Sequence, residues 1–518
     1  MTSGTTRALL VAGALCLVAL AVSSLGWHMN QDSPILFYEG FLLDQRHLVP
    51  YRDFFDMNVP GAHMVNLLAG RVFGFTEVGF RTADLLYACV LLGLTWRVMQ
   101  AFGRVVAWCA VVCCGLLYFL SGEPLSFQRE YIVLAPILFA VAVLCEPRWP
   151  RSLRCALAGL CIGTAVTIKP QAAIALPLFA GFEWRDARRL GGRPQAWLAA
   201  ACTVAGFSVP LLLAIGYLLG HGALEPFVDI AGTYWPLYNS LSGEWPVRIL
   251  SGFERAMYVA RHYVLAGLHP GLPLVFAGTI GAFIALRRST LPPAARSRVR
   301  LLVALAFCFS LTAAAAGKFW PYHWFPFDYV AMMVSSLCLV TPAPGARLRR
   351  GLVPFALMLM FVALPWLAGM LRRPGGELRF DQIQQIASHL QRRLTAQDTV
   401  QPLDWTGGAV HAMLLANATP ATRFLYDFHF LHHVSHPYIQ RLREELMDRL
   451  RQAPPRFMIA VHHRTTMAGP DTDQSFDDLD VMLRDHYDRA VVGDGFTIWE
   501  RRSIDLADHD ARIPVRAR

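Results

Sequence analysis

Long apolar segments recur from the first residues of this chain to about residue 371, and each is close to the length of a membrane span. A helix needs about 20 apolar residues to cross a bilayer. Of the 518 residues, 55% are hydrophobic and 16% are charged, whereas soluble domains carry roughly 25% charged residues. The sequence therefore predicts a polytopic α-helical membrane protein with about 11 transmembrane helices. The candidate spans are 8–26, 80–100, 106–121, 128–145, 153–168, 170–183, 196–219, 263–286, 301–317, 324–341 and 352–371.

Arginine clusters occupy every second loop between these segments. Short cytoplasmic loops are enriched in basic residues, so the pattern predicts a multi-pass protein of the cell inner (plasma) membrane with a cytoplasmic N terminus. The net charge of +10 is divided among short clusters, which does not indicate a nucleic-acid partner. The clusters lie at Arg7, 97–104, 148–154, 185–193, 287–300 and 347–350.

Two segments leave a choice of interpretation. Residues 153–183 fit two short helices better than one long helix, because a single helix would place an arginine cluster outside. With two helices, Lys169 lies at an exterior turn. Residues 8–26 could be a cleaved signal peptide or a retained anchor. Their length, without a clear cleavage site, favours the anchor.

The first outer loop, residues 27–79, is rich in ionisable residues. Asp32, Asp53 and Asp56 lie where this loop meets lipid, and a carboxylate there is costly unless it is paired or used. We therefore take these three aspartates as catalytic candidates. Residues 60–74 are amphipathic and too short to span, which predicts a helix lying in the interface.

Lysine is rare in this chain, and both lysines fall in outer loops. Of 47 basic residues only Lys169 and Lys318 are lysine, and Lys318 stands in the aromatic loop GKFWPYHWFPF beside Tyr322 and His323. Chance alone could leave two lysines in an arginine-rich chain. Their shared side of the membrane favours a functional role.

Several loop motifs together resemble a known family. The runs QDSPILFYEG, LVPYRDFFDMNVPG and FRTADLLY, followed by QRE, IKP and KFWPYHWFP, are similar to those of polyprenyl-phosphate-sugar-dependent glycosyltransferases of the GT-C fold. That group includes protein O-mannosyltransferases and the enzyme that adds aminoarabinose to lipid A. The resemblance covers most of the chain.

The resemblance implies roles for particular residues. Asp32 matches the family's catalytic aspartate, and Asp56 matches a second acidic site that a phosphate-binding lysine follows in some relatives. Met57 and Asn58 follow here, so another cation must hold the phosphate. The expected phosphate-binding residues are Lys318, Arg52, Lys169, His323 and Tyr322, and the expected substrate-binding residues are Tyr38, Glu39, Asn58 and Glu130.

The implied reaction moves a sugar from a polyprenyl-phosphate donor to a hydroxyl of a glycan, lipid or protein acceptor at the outer face of the bilayer. An aspartate acting as general base contributes about 10²–10⁴-fold, and direct displacement inverts the anomeric carbon. Ser33 stands where relatives often carry a second acid, so no metal cofactor is expected, although a divalent metal stays possible.

Two other functions compete with this one. An O-antigen polymerase or ligase also handles lipid-linked sugars, but such enzymes usually depend on arginines in large periplasmic loops. A secondary transporter would carry charges at mid-bilayer and repeated halves, and neither pattern is evident in the sequence.

The composition becomes polar after Pro374, which divides the chain into a membrane domain, 1–373, and a soluble domain, 374–518, predicted to be extracytoplasmic. Alternating helix and strand patterns with a hairpin at 489–500 predict an α/β layer, and it contains no cysteine for disulfides. The cluster His429, His432, His433 and His436 lacks fixed partner spacing, so we expect a solvated turn rather than a metal site. Acceptor binding or capping of the active cleft is the expected role of this domain.

Overall fold

The computed structural model divides the chain into two compact units, Met1–Gly375 and Gly376–Arg518. It describes residues 3–146, 148–268, 271–340, 380–405, 408–462, 467–473 and 475–502. The candidate span 352–371 and the predicted boundary at 373/374 lie outside these ranges.

The first unit is mainly helical in its described part. Its apolar runs form helices because such side chains cover a hydrogen-bonded backbone in lipid. The helices are α1 Ser3–Ser23, α2 Ser33–Gln45, α3 Pro60–Phe73, α4 Glu77–Met99, α5 Arg104–Ser121, α6 Arg129–Ile132, α7 Leu134–Leu144, α8 Arg151–Ile168, α9 Ala175–Gly220, α10 Leu224–Asp229, α11 Trp235–Asn239, α12 Gly252–Leu268, α13 Leu272–Phe283, α14 Pro293–Ala316 and α15 Pro321–Ser336.

Six described helical stretches are long and apolar enough to cross a membrane, and the chain is a membrane protein. The number of about 11 spans stays a prediction. The six are Ala8–Gly26, Glu77–Phe102, Arg104–Ser121, Arg151–Ile168, Pro170–Gly220 and Pro293–Ala316, with a shorter apolar helix at Leu272–Arg287.

The region between α8 and α9 has the two-helix form expected from the arginine pattern. Lys169 ends α8 in an extended conformation, and a 3₁₀ turn, Pro170–Ile174, leads into α9. Within α9 the chain is not helical at Gly192, where φ is +75°, a value that glycine adopts without steric cost. That break separates the two segments predicted at 170–183 and 196–219.

The first outer loop forms a folded layer. Helices α2 and α3 pack on each other, and the predicted interfacial helix 60–74 is observed as α3. Tyr51, Phe54 and Phe55 between them are fully buried, so the loop has a core of its own. Its position at the membrane interface stays a prediction.

The second unit contains a five-stranded sheet with strand order β2-β1-β3-β5-β4. Strands β2, β1 and β3 run parallel, whereas β5 is antiparallel to both β3 and β4. The strands are β1 Thr399–Leu403, β2 Thr419–Pro420, β3 Phe457–Val461, β4 Tyr487–Gly493 and β5 Phe496–Arg501, and the helices are α16 Phe380–Arg393, α17 Gly408–Leu415, α18 Pro437–Gln452 and α19 Asp477–His486.

The expectation of a solvated histidine turn in this unit is wrong for two of its four histidines, whereas His433 and His436 are partly exposed. His429 and His432 are fully buried, and His429 lies in a short 3₁₀ turn, Phe428–Phe430. The ring of His429 packs 4.1 Å from that of Phe430. The ring of His432 packs 5.2 Å from that of Phe428, so both buried histidines contact aromatic neighbours.

Candidate active site

The start of α2 places Asp32 beside an arginine from the second outer loop. Asp32 is the N-cap residue of α2, and Pro34 lies in the first turn, where proline suits a helix. The Oδ2 atom of Asp32 lies 2.9 Å from Nη2 of Arg129, and 37% of the Asp32 side chain is exposed. The carboxylate is thus held by a guanidinium and stays accessible to a substrate.

A buried network holds both partners of this pair in place. Ser33 Oγ donates to the Ser126 carbonyl at 2.8 Å, and Arg81 donates to Ser126 Oγ at 2.9 Å. Phe127, with φ of +53°, donates its backbone N–H to Asp84 at 3.0 Å. This left-handed turn leads directly into Arg129, so the network fixes the chain on both sides of the Asp32–Arg129 pair.

Arg81, Asp84 and Tyr118 form the buried centre of that network. Arg81 pairs with Asp84 one helical turn along α4, and the Tyr118 hydroxyl donates to Asp84 Oδ2 at 2.6 Å. We missed these residues from the sequence. The sequence did contain a signal for them, because Arg81 and Asp84 are oppositely charged residues at positions i and i+3 of an apolar segment. Charged residues are rare in such segments and usually have a function.

A second cluster joins three helical regions around Glu130. Its Oε1 atom lies 2.5 Å from Lys169 Nζ and 3.4 Å from His323 Nε2. Only 4% of the Glu130 side chain and 14% of the Lys169 side chain are exposed. Burial lowers the pKa of Lys169, and the charge of Glu130 opposes that shift. Consecutive residues Arg129 and Glu130 thus anchor two adjacent charged clusters.

A third cluster lies between α2 and α3. The His63 ring has Nδ1 3.0 Å from Glu39 Oε2 and Nε2 3.3 Å from Asp56 Oδ2, and all three side chains are buried. Burial raises the pKa of Glu39 to about 7, with help from the negative charge of Asp56. Burial by itself would lower the pKa of His63. The negative charges of Glu39 and Asp56 outweigh this effect, so the pKa of His63 lies above its ordinary value.

Within the described ranges, this trio is also the one group with metal-ligand potential. Its three ligand atoms lie within 4.8 Å of one another. However, each ring nitrogen of His63 faces a different carboxylate, and a histidine gives a metal only one nitrogen. The arrangement therefore fits a protonated imidazole between two acids better than a shared cation.

Two predicted phosphate ligands are engaged elsewhere. Lys318 Nζ donates to the carbonyls of Tyr238 at 2.8 Å and Leu241 at 2.6 Å, and burial lowers its pKa well below the ordinary value. Arg52 pairs with Asp53 at 2.7 Å and donates to the His221 carbonyl at 2.9 Å. Both cations thus hold loops together.

The other predicted residues divide between the clusters and the core. Asn58 donates its backbone and side-chain N–H groups to Asp56 at 2.9 and 3.0 Å. Tyr322 is buried within electrostatic reach of Asp32 and Glu130. Tyr38 is a core residue stacked on Phe41, which does not support its expected contact with substrate.

Comparison with known proteins supports the fold of this chain. No protein-family model and no curated protein matches it. Among solved structures, the aminoarabinose transferase ArnT from Cupriavidus metallidurans, bound to undecaprenyl phosphate, is 13% identical with a TM-score of 0.58. That likeness covers 97% of this chain and 99% of ArnT.

Two further structures are more distant. The Archaeoglobus fulgidus oligosaccharyltransferase is 12% identical over 89% of this chain and 69% of its own, with a TM-score of 0.48. The mycobacterial arabinofuranosyltransferase AftD is 13% identical over 96% and 40%, with a TM-score of 0.46. The likeness to ArnT shows that this chain has the GT-C glycosyltransferase fold, as the loop motifs suggested.

Proposed function

We propose that this protein is a membrane glycosyltransferase that moves a sugar from a polyprenyl-phosphate donor to an acceptor hydroxyl at the outer face of the cytoplasmic membrane. The observation that carries the proposal is the accessible Asp32 carboxylate held 2.9 Å from Arg129. A second cation, Lys169, lies 2.5 Å from Glu130, the residue that follows Arg129 in the chain. A base beside two cations is what displacement of a phosphate leaving group requires.

In the proposed reaction, Asp32 removes the proton of the acceptor hydroxyl. The hydroxyl oxygen forms a bond to the anomeric carbon of the donor, while the bond from that carbon to the phosphate oxygen breaks. The proton stays on Asp32, and the electron pair leaves with the polyprenyl phosphate. Because attack and departure occur on opposite faces, the product has the inverted configuration.

We assign the donor phosphate to Arg129 and Lys169. A guanidinium can bind phosphate oxygens with two parallel hydrogen bonds, and an ammonium adds a point charge. Both of these cations interact electrostatically with Asp32, whereas Lys318 donates to two backbone carbonyls and Arg52 pairs with Asp53. Tyr322 and His323, at the start of α15, complete the polar wall beside these cations.

No metal takes part in this proposal. The Glu39–Asp56–His63 cluster keeps α2 against α3, and Asp56 is already bound by Asn58. Asp53 accepts hydrogen bonds from Arg52 and from the Val49 backbone. Of the three candidate aspartates, Asp32 therefore keeps the role of base, and the other two stabilise the first outer loop.

The test is donor consumption by the purified protein. A panel of undecaprenyl-phosphate sugars is offered with extracted envelope glycans as acceptors, and release of undecaprenyl phosphate is measured for wild type, Asp32→Asn and Asp44→Asn. Asp44 is the control because it forms the same kind of pair, with Arg71, at the other end of α2.

We expect wild type and Asp44→Asn to consume the same donor, and Asp32→Asn to be at least about 100-fold slower. Equal turnover by Asp32→Asn would remove its role as base. Failure of the wild type to consume any donor would reject the proposed function.

A further inference from the structure

A short hairpin, residues 240–250, connects α11 to α12 and is closed by its own backbone. Ser242 donates its N–H to the Arg248 carbonyl at 2.8 Å, and Leu250 donates to the Ser240 carbonyl at 2.8 Å. The hairpin therefore has a defined conformation, and its position depends on the contacts that it makes with neighbouring elements.

Side chains from two neighbouring elements fix the base of this hairpin. Lys318 and Arg255 both donate to the Leu241 carbonyl, at 2.6 and 3.0 Å. The indole of Trp320 donates to the Gly243 carbonyl at 3.2 Å. The base is thus held by α12 and by the loop between α14 and α15.

A histidine on α12 holds the hairpin beyond its base. His262 Nε2 lies 2.9 Å from Glu244 Oε1, and Nδ1 lies 2.9 Å from the Tyr258 carbonyl oxygen. Arg248 donates to the other oxygen of Glu244 at 3.1 Å, which favours an ionised carboxylate. The His262 ring also stacks on Phe319 at 5.7 Å. One imidazole therefore contacts the hairpin and the loop after α14.

This geometry requires a proton on each ring nitrogen of His262. A carbonyl oxygen and an ionised carboxylate only accept hydrogen bonds, and a neutral imidazole has a single N–H. Only an imidazolium makes both bonds at once. Loss of its proton removes one of the two bonds and the attraction between opposite charges. Histidine side chains ordinarily change charge between pH 5 and pH 8.

Several other charged or titratable groups belong to the elements around His262. Glu254 and Arg261 of α12 are exposed. Lys318 is a second candidate for a pH response, because burial lowers its pKa well below the ordinary value. A test must therefore separate His262 from Lys318. The remaining groups are Glu244 and Arg248 of the hairpin and Arg255 and Tyr258 of α12, which interact electrostatically with one another.

The hairpin continues one wall of the candidate active site. Tyr238, in α11, lies within electrostatic reach of Asp32 and Arg129. Lys318 donates to the carbonyls of both Tyr238 and Leu241, so it joins this wall to the start of the hairpin. Movement of the hairpin is therefore transmitted to the side chains beside Asp32.

We propose that protonated His262 is a positioning residue, which clamps the 240–250 hairpin to α12 and keeps the Tyr238 wall in place beside Asp32. As the pH rises, the proton is lost and the hairpin loosens. The consequence for sugar transfer rests on the proposed function, whereas the loosening of the hairpin does not.

Hydrogen exchange of the hairpin amides tests the clamp directly. The purified full chain in nanodiscs is compared at pH 6 and pH 8, with each rate corrected for the intrinsic exchange rate, for wild type, His262→Gln and His221→Gln. His221 is the matched control, because its Nδ1 lies 2.9 Å from the Tyr217 carbonyl oxygen in the same i−4 arrangement. Among the described residues, no carboxylate bonds to the His221 ring.

In wild type, protection of residues 240–250 should fall about three- to tenfold from pH 6 to pH 8, as expected for a partly exposed ion pair with a charge-assisted bond. Glutamine does not titrate, so His262→Gln should show equal protection at both pH values. His221→Gln should follow wild type. Equal protection of wild type at both pH values would overturn the clamp, and so would a fall in His262→Gln as large as that of wild type, which would assign the response to another group such as Lys318.

Turnover tests the positioning role. With a donor that wild type consumes, the ratio of wild-type to His262→Gln turnover should fall several-fold from pH 6 to pH 8, whereas the ratio of wild type to His221→Gln should stay constant. A constant ratio for His262→Gln would refute the positioning role even where exchange confirms the clamp. Failure to consume any donor would reject the proposed function and the positioning role with it, while the exchange result would still decide whether the clamp exists.

Discussion

The buried Glu39–His63–Asp56 cluster should make the protein lose stability as the pH rises, and Glu39→Gln should remove most of that dependence. Burial, and then the charge of Asp56, raises the pKa of Glu39 from 4.5 to about 7. Above pH 4.5 the unfolded chain releases this proton while the folded chain keeps it. Stability falls wherever the unfolded state binds fewer protons. The raised pKa of His63 acts in the same direction above pH 6.5.

The size of the effect follows from the shift. Each pKa unit corresponds to about 1.4 kcal/mol, so a rise from 4.5 to about 7 removes roughly 3 kcal/mol of stability between about pH 4.5 and pH 7. Glutamine has nearly the same volume and no proton to lose. Between pH 4.5 and pH 7, the free energy of unfolding of the variant should therefore change by less than half as much as that of the wild type.

Thermal unfolding at pH 5 and pH 8, followed by tryptophan fluorescence in detergent, measures this difference. The solvent-exposed Glu225 of the same unit supplies the control variant, Glu225→Gln, which should follow wild type. Equal pH dependence in wild type and Glu39→Gln, or a wild type that is more stable at pH 8, would refute the reasoning.

Three further predictions concern single side chains. Arg129→Gln should weaken binding of bare undecaprenyl phosphate about 10- to 100-fold when the purified protein in nanodiscs is titrated with it, because a charge-assisted contact is worth about 1.5–3 kcal/mol; unchanged affinity would exclude Arg129 from the phosphate site. Lys318→Met should leave that affinity unchanged and lower the unfolding temperature, because two buried carbonyls lose their donor. Tyr118→Phe should lower kcat several-fold at unchanged KM for the donor, since the hydroxyl that supports Asp84 is lost; a change in KM alone would contradict a positioning role.

The sequence was informative where a pattern depends on neighbours along the chain. Apolar length predicted the helices, alternating arginines predicted the turn at Lys169, and amphipathic spacing predicted α3. The loop motifs led to the GT-C fold, which the likeness to ArnT supports. These features need only local chemistry and the thickness of a bilayer.

The sequence was less informative where function depends on contacts between distant residues. His63 is a single histidine on an interfacial helix until α2 brings Glu39 against it. Lys318 was attractive because lysine is rare, but its partners are backbone carbonyls, which leave no sequence signal. Arg129 stood next to the candidate Glu130, and only the fold shows that its guanidinium, rather than Lys318, meets Asp32.

The most direct test of the central claim, that Asp32 removes the proton of the acceptor, is the reaction of Asp32→Ala with azide. Azide attacks an anomeric carbon without losing a proton, so it does not need a general base. With the donor that wild type consumes, the variant should transfer sugar to hydroxyl acceptors at least about 100-fold more slowly but form the glycosyl azide of inverted configuration. A variant that binds this donor yet forms no azide product, or that still glycosylates hydroxyls at the wild-type rate, would contradict the account.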